Sequence, residues 1–198
     1  MKVVTYRVAV AVSGRGSNLL ALCDALDADD IARVVIVIAD RPAMALERAA
    51  ERGIATHRLA DFRDGSEWRR ILAAASCDML VLAGYLRLVP AEVVQWMSGR
   101  IINVHPALLP KFGGPGMHGE RVHQAVLAAG DRETGATVHL VDEVFDRGAI
   151  LGQASIAVPA GASAATLAAA VLGVEHRLLP AAVKAAARAG HPVPFELT

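Results

Sequence analysis

The chain has 198 residues, of which 54% are hydrophobic and 4% aromatic, and its 20 basic side chains balance its 20 acidic ones. This length suits one well-packed domain. The zero formal net charge argues against a nucleic-acid or anionic-membrane surface, and no uninterrupted apolar stretch reaches the 18 residues that would indicate a membrane span.

The N-terminal stretch MKVVTYRVAVAVSG is apolar, but Arg7 interrupts it and it lacks a small-residue cleavage site. We therefore expect a first strand rather than a signal peptide, and a cytoplasmic location by default. Cys23 and Cys77 lie outside any CxxC or Cys/His spacing. They are expected to be buried or half-buried thiols without a disulfide or metal role.

The first half of the chain alternates between apolar runs and helical patterns. Strands are predicted in RVAVAVSG, ARVVIVIAD, ATHRLA, DMLVLAGY and RIINVHP. Helices are predicted in SNLLALCDALDA, PAMALERAAERG, GSEWRRILAAAS and PAEVVQWMSG. Because the strands are continuously apolar rather than alternating, both sheet faces should be buried. The pattern indicates an α/β fold with a mostly parallel sheet and helices on both faces.

The pattern changes after Pro106. A Gly- and Pro-rich loop, ALLPKFGGPGMHG, precedes a predicted helix in ERVHQAVLAAGD. Two strands around a polar turn are predicted in ATVHLVDEVFDRGAILGQASIAV, followed by a long Ala/Leu helix in which Pro180 predicts a break or kink. We find no internal repeat or long linker and expect a single domain over residues 1–198.

The loop SGRGSNL, residues 13–19, joins the first strand to the first helix. Gly14 and Gly16 permit a tight turn, and the free amides of the helix that follows favour an anion such as a phosphate. A dinucleotide fingerprint would have glycine where this chain has Leu19, although Asp40 could hold a ribose hydroxyl. A plain turn with a helix cap is the alternative.

Asn103 and His105 occupy positions i and i+2 of the predicted fifth strand, so their side chains share one face. They lie at the carboxyl end of a parallel strand, where ligands gather. An amide and a protonated imidazole are both donors, which suits an oxygen that gains negative charge during a reaction. A structural hydrogen-bonded pair is the alternative.

A carboxylate near His105 would help the imidazole to hold its proton. The polar turn offers Asp142, Glu143 and Asp146, and spacing alone cannot choose among them. His139 is expected to be a satisfied interior imidazole behind the site. We interpret four other histidines as surface or loop residues without zinc-site spacing: His57, His118, His123 and His191.

Five strings together resemble the folate-dependent formyltransferases: SGRGSNL, LAGYLRLVP, INVHPALLPKFGGPGMHG, GATVHLVDEVFDRGAIL and VEHRLLP. The resemblance spans roughly residues 7–180, and SGRGSNL points to the glycinamide ribonucleotide formyltransferases among them. It implies a single-domain, Rossmann-like formyltransferase fold with a phosphoribosyl-binding half near residues 1–100 and a catalytic, folate-binding half near residues 101–198.

The resemblance also implies roles for individual residues. The catalytic residues would be Asn103, His105 and Asp146. The phosphoribosyl and glycinamide substrate would be held by Gly14, Gly16, Ser17, Asn18 and Glu175. The folate would be held by Leu86, Arg87, Leu88, Val89, Asp142, Glu143, Val144 and Phe145. The co-substrate would be 10-formyltetrahydrofolate, without a metal, and the protein would be a monomer or homodimer.

Two departures from the family pattern accompany the resemblance. Gly65 aligns with a position that usually carries a folate-contacting arginine, and the loop at residues 111–119 is longer than in many relatives. The isomer of the Leu109–Pro110 bond is left open. Other folate-dependent formyltransferases and a formyltetrahydrofolate hydrolase are close alternatives, but they carry added domains for which we expect no room. A non-catalytic nucleotide-binding module is a more distant alternative.

Overall fold

Over residues 5–197, which the computed structural model describes, strands and helices alternate except that the last two strands follow one another directly. The strands are β1 Tyr6–Val12, β2 Ala32–Ala39, β3 Ala55–Arg58, β4 Met79–Leu82, β5 Ile101–His105, β6 Glu133–Leu140 and β7 Ile150–Ala157. The helices are α1 Ser17–Leu26, α2 Met44–Glu51, α3 Gly65–Ala74, α4 Ala91–Trp96, α5 Glu120–Ala129 and α6 Ala164–Ala189. The first predicted strand is confirmed from Tyr6 onward, and residues 1–4 of that prediction lie outside the described residues.

The strands form one seven-stranded sheet in the order β3-β2-β1-β4-β5-β6-β7. The first five pair in parallel, whereas β6 and β7 run antiparallel to their neighbours. The direction of winding reverses between β1 and β4, and ligands of open α/β sheets bind at such a reversal. The predicted single α/β domain with a mostly parallel sheet is confirmed.

Each face of the sheet carries its own apolar core. In β1, Val8, Val10 and Val12 pack with α1 and α6 on one face, while Ala9 and Ala11 pack with α3 and α4 on the other. The continuous apolar strands thus follow from burial on both sides. Of the two free cysteines, Cys23 is buried and Cys77 half-buried.

Helix α6 runs unbroken through Pro180, so the predicted break is wrong. Pro180 is buried, and Leu178, Leu179, Ala182 and Val183 around it are also buried in the core. We attribute the continuity to this packing, which outweighs one missing backbone hydrogen bond. By length and composition this helix would also be able to cross a membrane, but half of its most apolar window is buried in the protein.

Candidate active site

A cavity of about 880 Å³ opens at the carboxyl ends of β1, β4 and β5. Its walls come from residues 14–18 after β1, residues 82–89 after β4 and residues 103–106 at the end of β5. The long loop before α5, the turn between β6 and β7, and one face of α6 close the remaining sides. The cavity therefore lies at the winding reversal and at the carboxyl ends of parallel strands, the end of the sheet at which the sequence placed Asn103 and His105.

The glycine loop forms one end of the cavity. Gly16 is the N-cap of α1, with a φ of +78°, and a Cβ there would lie 2.7 Å from the Cβ of Ala45. Glycine is therefore required both by the left-handed backbone and by the close approach of α2. Because Gly16 has no side chain to cap the helix, the first amides of α1 remain free for an anion.

Asn18 and Glu175 meet beside this loop, although 157 positions separate them in the chain. The Nδ2 of Asn18 donates to the Oε2 of Glu175 at 2.6 Å. Glu175 is only 7% exposed, and burial raises the pKa of its carboxyl, with the Asn18 hydrogen bond opposing that shift. The Glu175 carboxyl, with its raised pKa, therefore lies in the wall of the cavity, where it can accept hydrogen bonds.

Asn103 and His105 lie on the same face of β5, as predicted, and line the cavity. The Nδ1 of His139 lies 2.7 Å from the carbonyl oxygen of Leu140 and must carry a proton to bond it. In neutral His139 the Nε2 is then an acceptor, and Asn103 Nδ2 donates to it at 3.0 Å. His139 therefore fixes the amide of Asn103 with one N–H still available to the cavity.

The imidazole of His105 is held from two sides. Its Nε2 donates to the carbonyl oxygen of Phe112 at 2.8 Å, and its Nδ1 lies 3.6 Å from Asp146 Oδ1. Burial lowers the pKa of His105, while the charge of Asp146 and the Phe112 hydrogen bond oppose that shift. The arrangement supports an imidazolium that would otherwise be disfavoured in a buried position.

Asp146 is the carboxylate that reaches back to the histidines. Besides His105, it lies 3.5 Å from the Nε2 of His139, and its Oδ2 accepts from the Gly114 N–H at 2.9 Å. Burial pushes the pKa of Asp146 upward, but the charge of His105 and the hydrogen bond from the Gly114 amide oppose burial, and the pKa lies below its usual value. Asp146 therefore stays ionised next to His105 at neutral pH.

The other two acids of the turn, Asp142 and Glu143, have hydrogen-bond partners of their own. Asp142 lines the cavity, and its Oδ1 accepts from the Val144 N–H at 2.8 Å. Glu143 accepts from Gln95 Nε2 at 2.8 Å and is not among the cavity-lining residues. The expected folate contact of Glu143 stays a prediction, although the turn directs this side chain toward α4. The remaining expected folate residues do line the cavity: Leu86, Arg87, Leu88, Val89, Val144 and Phe145.

His123 corrects the expectation of a surface histidine. It is 4% exposed on the inner face of α5, lines the cavity, and its Nδ1 is buried without a hydrogen-bond partner among the described residues. Burial lowers its pKa, the charge of His105 lowers it further, and Glu120 opposes both. The spacing Val122–His123–Val126 fits an inward helix face and is the signal that sequence reasoning missed.

The other histidines fit their predictions. His118 and His191 are exposed, although His118 also lines the cavity, and half-buried His57 bonds Glu67 at 2.8 Å.

The loop before α5 packs directly on His105 and Asp146. Phe112 has a φ of +56°, and a Cβ on Gly113 would lie 2.6 Å from Leu109 Cδ2 and 3.1 Å from Asp146 Cβ. The Leu109–Pro110 bond is cis. At Gly65, a Cβ would overlap the side chain of Glu92, so that position is closed to a longer residue unless Glu92 moves.

Comparisons with known proteins agree on one family. Residues 6–183 match the family described as formyl transferase. The chain is 44% identical over 190 residues to the phosphoribosylglycinamide formyltransferase of Mycobacterium tuberculosis, covering 93% of this chain and 86% of that protein. It is 39% identical over 181 residues to the chloroplastic phosphoribosylglycinamide formyltransferase of Arabidopsis thaliana, covering 87% of this chain and 62% of that protein.

Relatives differ in length, and solved structures share the fold. The chain spans 12% of the trifunctional purine biosynthetic protein adenosine-3 of Drosophila melanogaster, to which it is 44% identical over 162 residues, 77% of this chain. The crystal structure of phosphoribosylglycinamide formyltransferase from Brucella melitensis superimposes with a TM-score of 0.83 at 40% identity, covering 94% of this chain and 96% of that chain.

Proposed function

Because the chain belongs to the formyl transferase family, we propose that it transfers the formyl group of 10-formyltetrahydrofolate to the amine of glycinamide ribonucleotide. The products would be formylglycinamide ribonucleotide and tetrahydrofolate, in the pathway of purine (IMP) biosynthesis. The observation that carries this proposal is a single cavity that joins a glycine-loop anion site to Asn103, His105 and Asp146. The family relatives named for this activity support it.

The glycine loop is suited to the phosphate of the ribonucleotide. Free amides at the start of α1 and the helix dipole favour an anion there. The carboxylate of Glu175, held by Asn18 at 2.6 Å, would accept hydrogen bonds from the same substrate. We assign this substrate to Gly14, Gly16, Ser17, Asn18 and Glu175.

The opposite wall is suited to the folate. Leu86 and Leu88 are 39% and 44% exposed, and Val144 across the cavity is 53% exposed. Exposed apolar side chains facing a cavity are typical of a site for a flat aromatic ligand. We assign the folate to this wall and to Arg87, Val89, Asp142 and Phe145.

The residues at the end of β5 would stabilise the transition state. The free amine attacks the formyl carbon, and the carbonyl oxygen becomes an oxyanion in the tetrahedral intermediate. The second N–H of Asn103 is a donor for that oxygen, and so is the Nδ1–H of a protonated His105, which lies 3.6 Å from Asp146 and so beyond hydrogen-bond distance of it. Burial lowers the pKa of His105, and the charge of Asp146 opposes that shift and would stabilise the protonated imidazole in the transition state. The amine loses one proton and the folate nitrogen gains one as the C–N bond to the folate breaks, so the proton count balances.

A direct formyl-transfer assay tests the proposal. The protein is incubated with 10-formyltetrahydrofolate and glycinamide ribonucleotide, and formylglycinamide ribonucleotide is measured by mass spectrometry. We expect turnover by the wild type, a loss of about 10²–10³ in kcat for Asn103→Ala, and wild-type rates for His191→Ala on the exposed surface. Absence of product from a folded wild type would contradict the proposed function.

Omitting the ribonucleotide distinguishes transfer from hydrolysis. A hydrolase would consume 10-formyltetrahydrofolate and release formate without an amine acceptor, whereas the proposed transferase would not. Cytoplasmic location and a monomeric or dimeric state stay predictions, and the chloroplastic relative shows that location varies within the family.

A further inference from the structure

Asp40, which the sequence suggested for a ribose, is committed to other contacts. It follows β2 directly, and its side chain is only 2% exposed. Its Oδ2 accepts from Arg41 Nε at 2.9 Å and Nη2 at 2.6 Å, and Arg87 Nε lies 3.4 Å from the same oxygen. A buried carboxylate is costly unless it is paired, so these two guanidinium groups account for its burial.

Ser13 connects the same place to the backbone after β4. The Leu86 N–H donates to the Ser13 Oγ at 3.0 Å, and the Ser13 N–H donates to the Gly84 carbonyl oxygen at 3.1 Å. Burial pushes the pKa of Asp40 upward, but hydrogen bonding from Arg41, Ser13 and Arg87 outweighs burial and holds it below its usual value. Asp40 is therefore an anion at neutral pH, next to Ser13.

Tyr85 and Phe62 complete the arrangement. Burial and the Asp40 charge raise the pKa of the Tyr85 hydroxyl, so it remains neutral, and it has no hydrogen-bond partner among the described residues. The Tyr85 ring meets Trp68 edge-on at 5.7 Å, and the Arg87 guanidinium lies 5.0 Å from the centre of the Phe62 ring. All four residues of the segment 84–87 are therefore held by contacts. Gly84 and Leu86 are hydrogen-bonded to Ser13, and Arg87 is paired with Asp40. The aromatic contacts of Tyr85 and Arg87 are additional.

We propose that Asp40 is a positioning residue for the folate: by holding Arg87 and acting beside Ser13, it fixes residues 84–89, which form the apolar wall of the cavity. The inference rests on the proposed function, which assigns that wall to the folate. Leu86 and Leu88 are the wall's exposed apolar side chains, and their backbone has no regular secondary structure of its own. Such a segment keeps its shape through contacts of this kind.

Asp40→Asn tests the inference, because asparagine keeps the size and one acceptor oxygen but removes the charge. We expect the KM for 10-formyltetrahydrofolate to rise about tenfold, the effect of losing one charge-assisted hydrogen bond. The KM for glycinamide ribonucleotide and kcat should change less than about twofold, because Asp40 bonds Arg41 and Arg87 and not residues 14–18, Asn103, His105 or Asp146. Asp61→Asn is the matched control, since it removes an Asp–Arg pair, with Arg63 at 3.1 Å, that lies on the exposed surface.

Ser13→Ala is a second variant in case Asp40→Asn does not fold. It leaves the Leu86 N–H without its acceptor and should raise the same KM about threefold or more. An unchanged folate KM in a folded variant, or equal rises in both KM values, would overturn the inference. Either result would leave the proposed function intact, because that function fails only if the wild type makes no formylated product.

Discussion

The two halves of the molecule contribute to the site by different means. Before residue 100 the sheet is parallel, and the cavity is lined by turns that follow β1 and β4, with glycines and backbone amides prominent. After residue 100, β5 still pairs in parallel with β4, whereas β6 and β7 run antiparallel, and polar side chains within β5 and β6 face the cavity: Asn103, His105 and His139. Backbone amides bind a ligand without titrating, whereas buried polar side chains must satisfy one another and respond to pH.

This difference between the two halves leads to a hypothesis that mutations can contradict. If the front half holds substrates and the back half performs the reaction, changes before residue 100 should act on KM, and changes at β5 and the following turn should act on kcat.

Asp146→Asn should have the largest effect. The variant keeps the shape of the side chain but removes the charge 3.6 Å from His105 Nδ1, so kcat at pH 7 should fall about 10²–10³-fold with KM values within about threefold. The pKa of His105, already lowered by burial, should fall further. Because the active form is protonated, the alkaline limb of the kcat–pH profile should move to lower pH.

The pH profile separates this explanation from a structural one. The groups that act on His105 are Asp146, which raises its pKa, and His139, which lowers it, while His123 lies in the same cavity wall. A variant with reduced kcat and an unmoved alkaline limb would show that Asp146 does not support the imidazolium.

Gly113→Ala should have the next largest effect. The new Cβ would lie 2.6 Å from Leu109 and 3.1 Å from Asp146, which displaces the loop whose Phe112 carbonyl accepts from His105. We expect kcat to fall about 10- to 100-fold, since small displacements of reacting groups cost that much. Gly173→Ala, with open space around the added Cβ on α6, is the matched control and should keep full activity. Equal activity of the two variants would exclude a positioning role for the loop.

Ser17→Glu should act on one KM value. A carboxylate at the first residue of α1 would repel the ribonucleotide phosphate from the free amides, so the KM for that substrate should rise about tenfold. The folate KM and kcat should remain within about twofold. Ser66→Glu, on the exposed first turn of α3, is the control. Equal rises in both KM values would contradict a phosphate site at the glycine loop.

Sequence reasoning recovered the fold better than the contacts between its parts. Apolar runs were sufficient to predict β1 to β5, and helix boundary residues to predict the helices between them. The strands could be found because burial on both faces of the sheet makes them continuously apolar. The role of Asp40 was missed because its partner Arg87 lies 47 positions away. His123 was misplaced because the helical spacing of its apolar neighbours Val122 and Val126, which marks the inward face of α5, was not taken into account. The placement of Asp146 among three acids depended on its φ of +57°, which spacing does not reveal.

The smallest expected effect concerns Glu175, which joins the two halves through Asn18. Burial raises the pKa of Glu175 in the folded state, so ionisation costs stability as pH rises through that pKa, and the cost is absent below the unfolded value of about 4.3. Glu175→Gln keeps an acceptor oxygen for Asn18 and removes the charge. Its Tm should exceed that of the wild type by about 2–4 °C at pH 8, and the gap should close toward pH 4.

Thermal unfolding of Glu175→Gln at both pH values measures this effect, with Glu196→Gln on the exposed surface as the control. A Tm gap that is the same at pH 4 and pH 8 would mean that the carboxylate is not strained by burial. If the gap follows pH as expected while the ribonucleotide KM rises, then Glu175 is retained for binding at the expense of stability. Helix α6, although it follows β5 in the chain, would then belong with the front half in function, because its Glu175 binds the same substrate as the glycine loop.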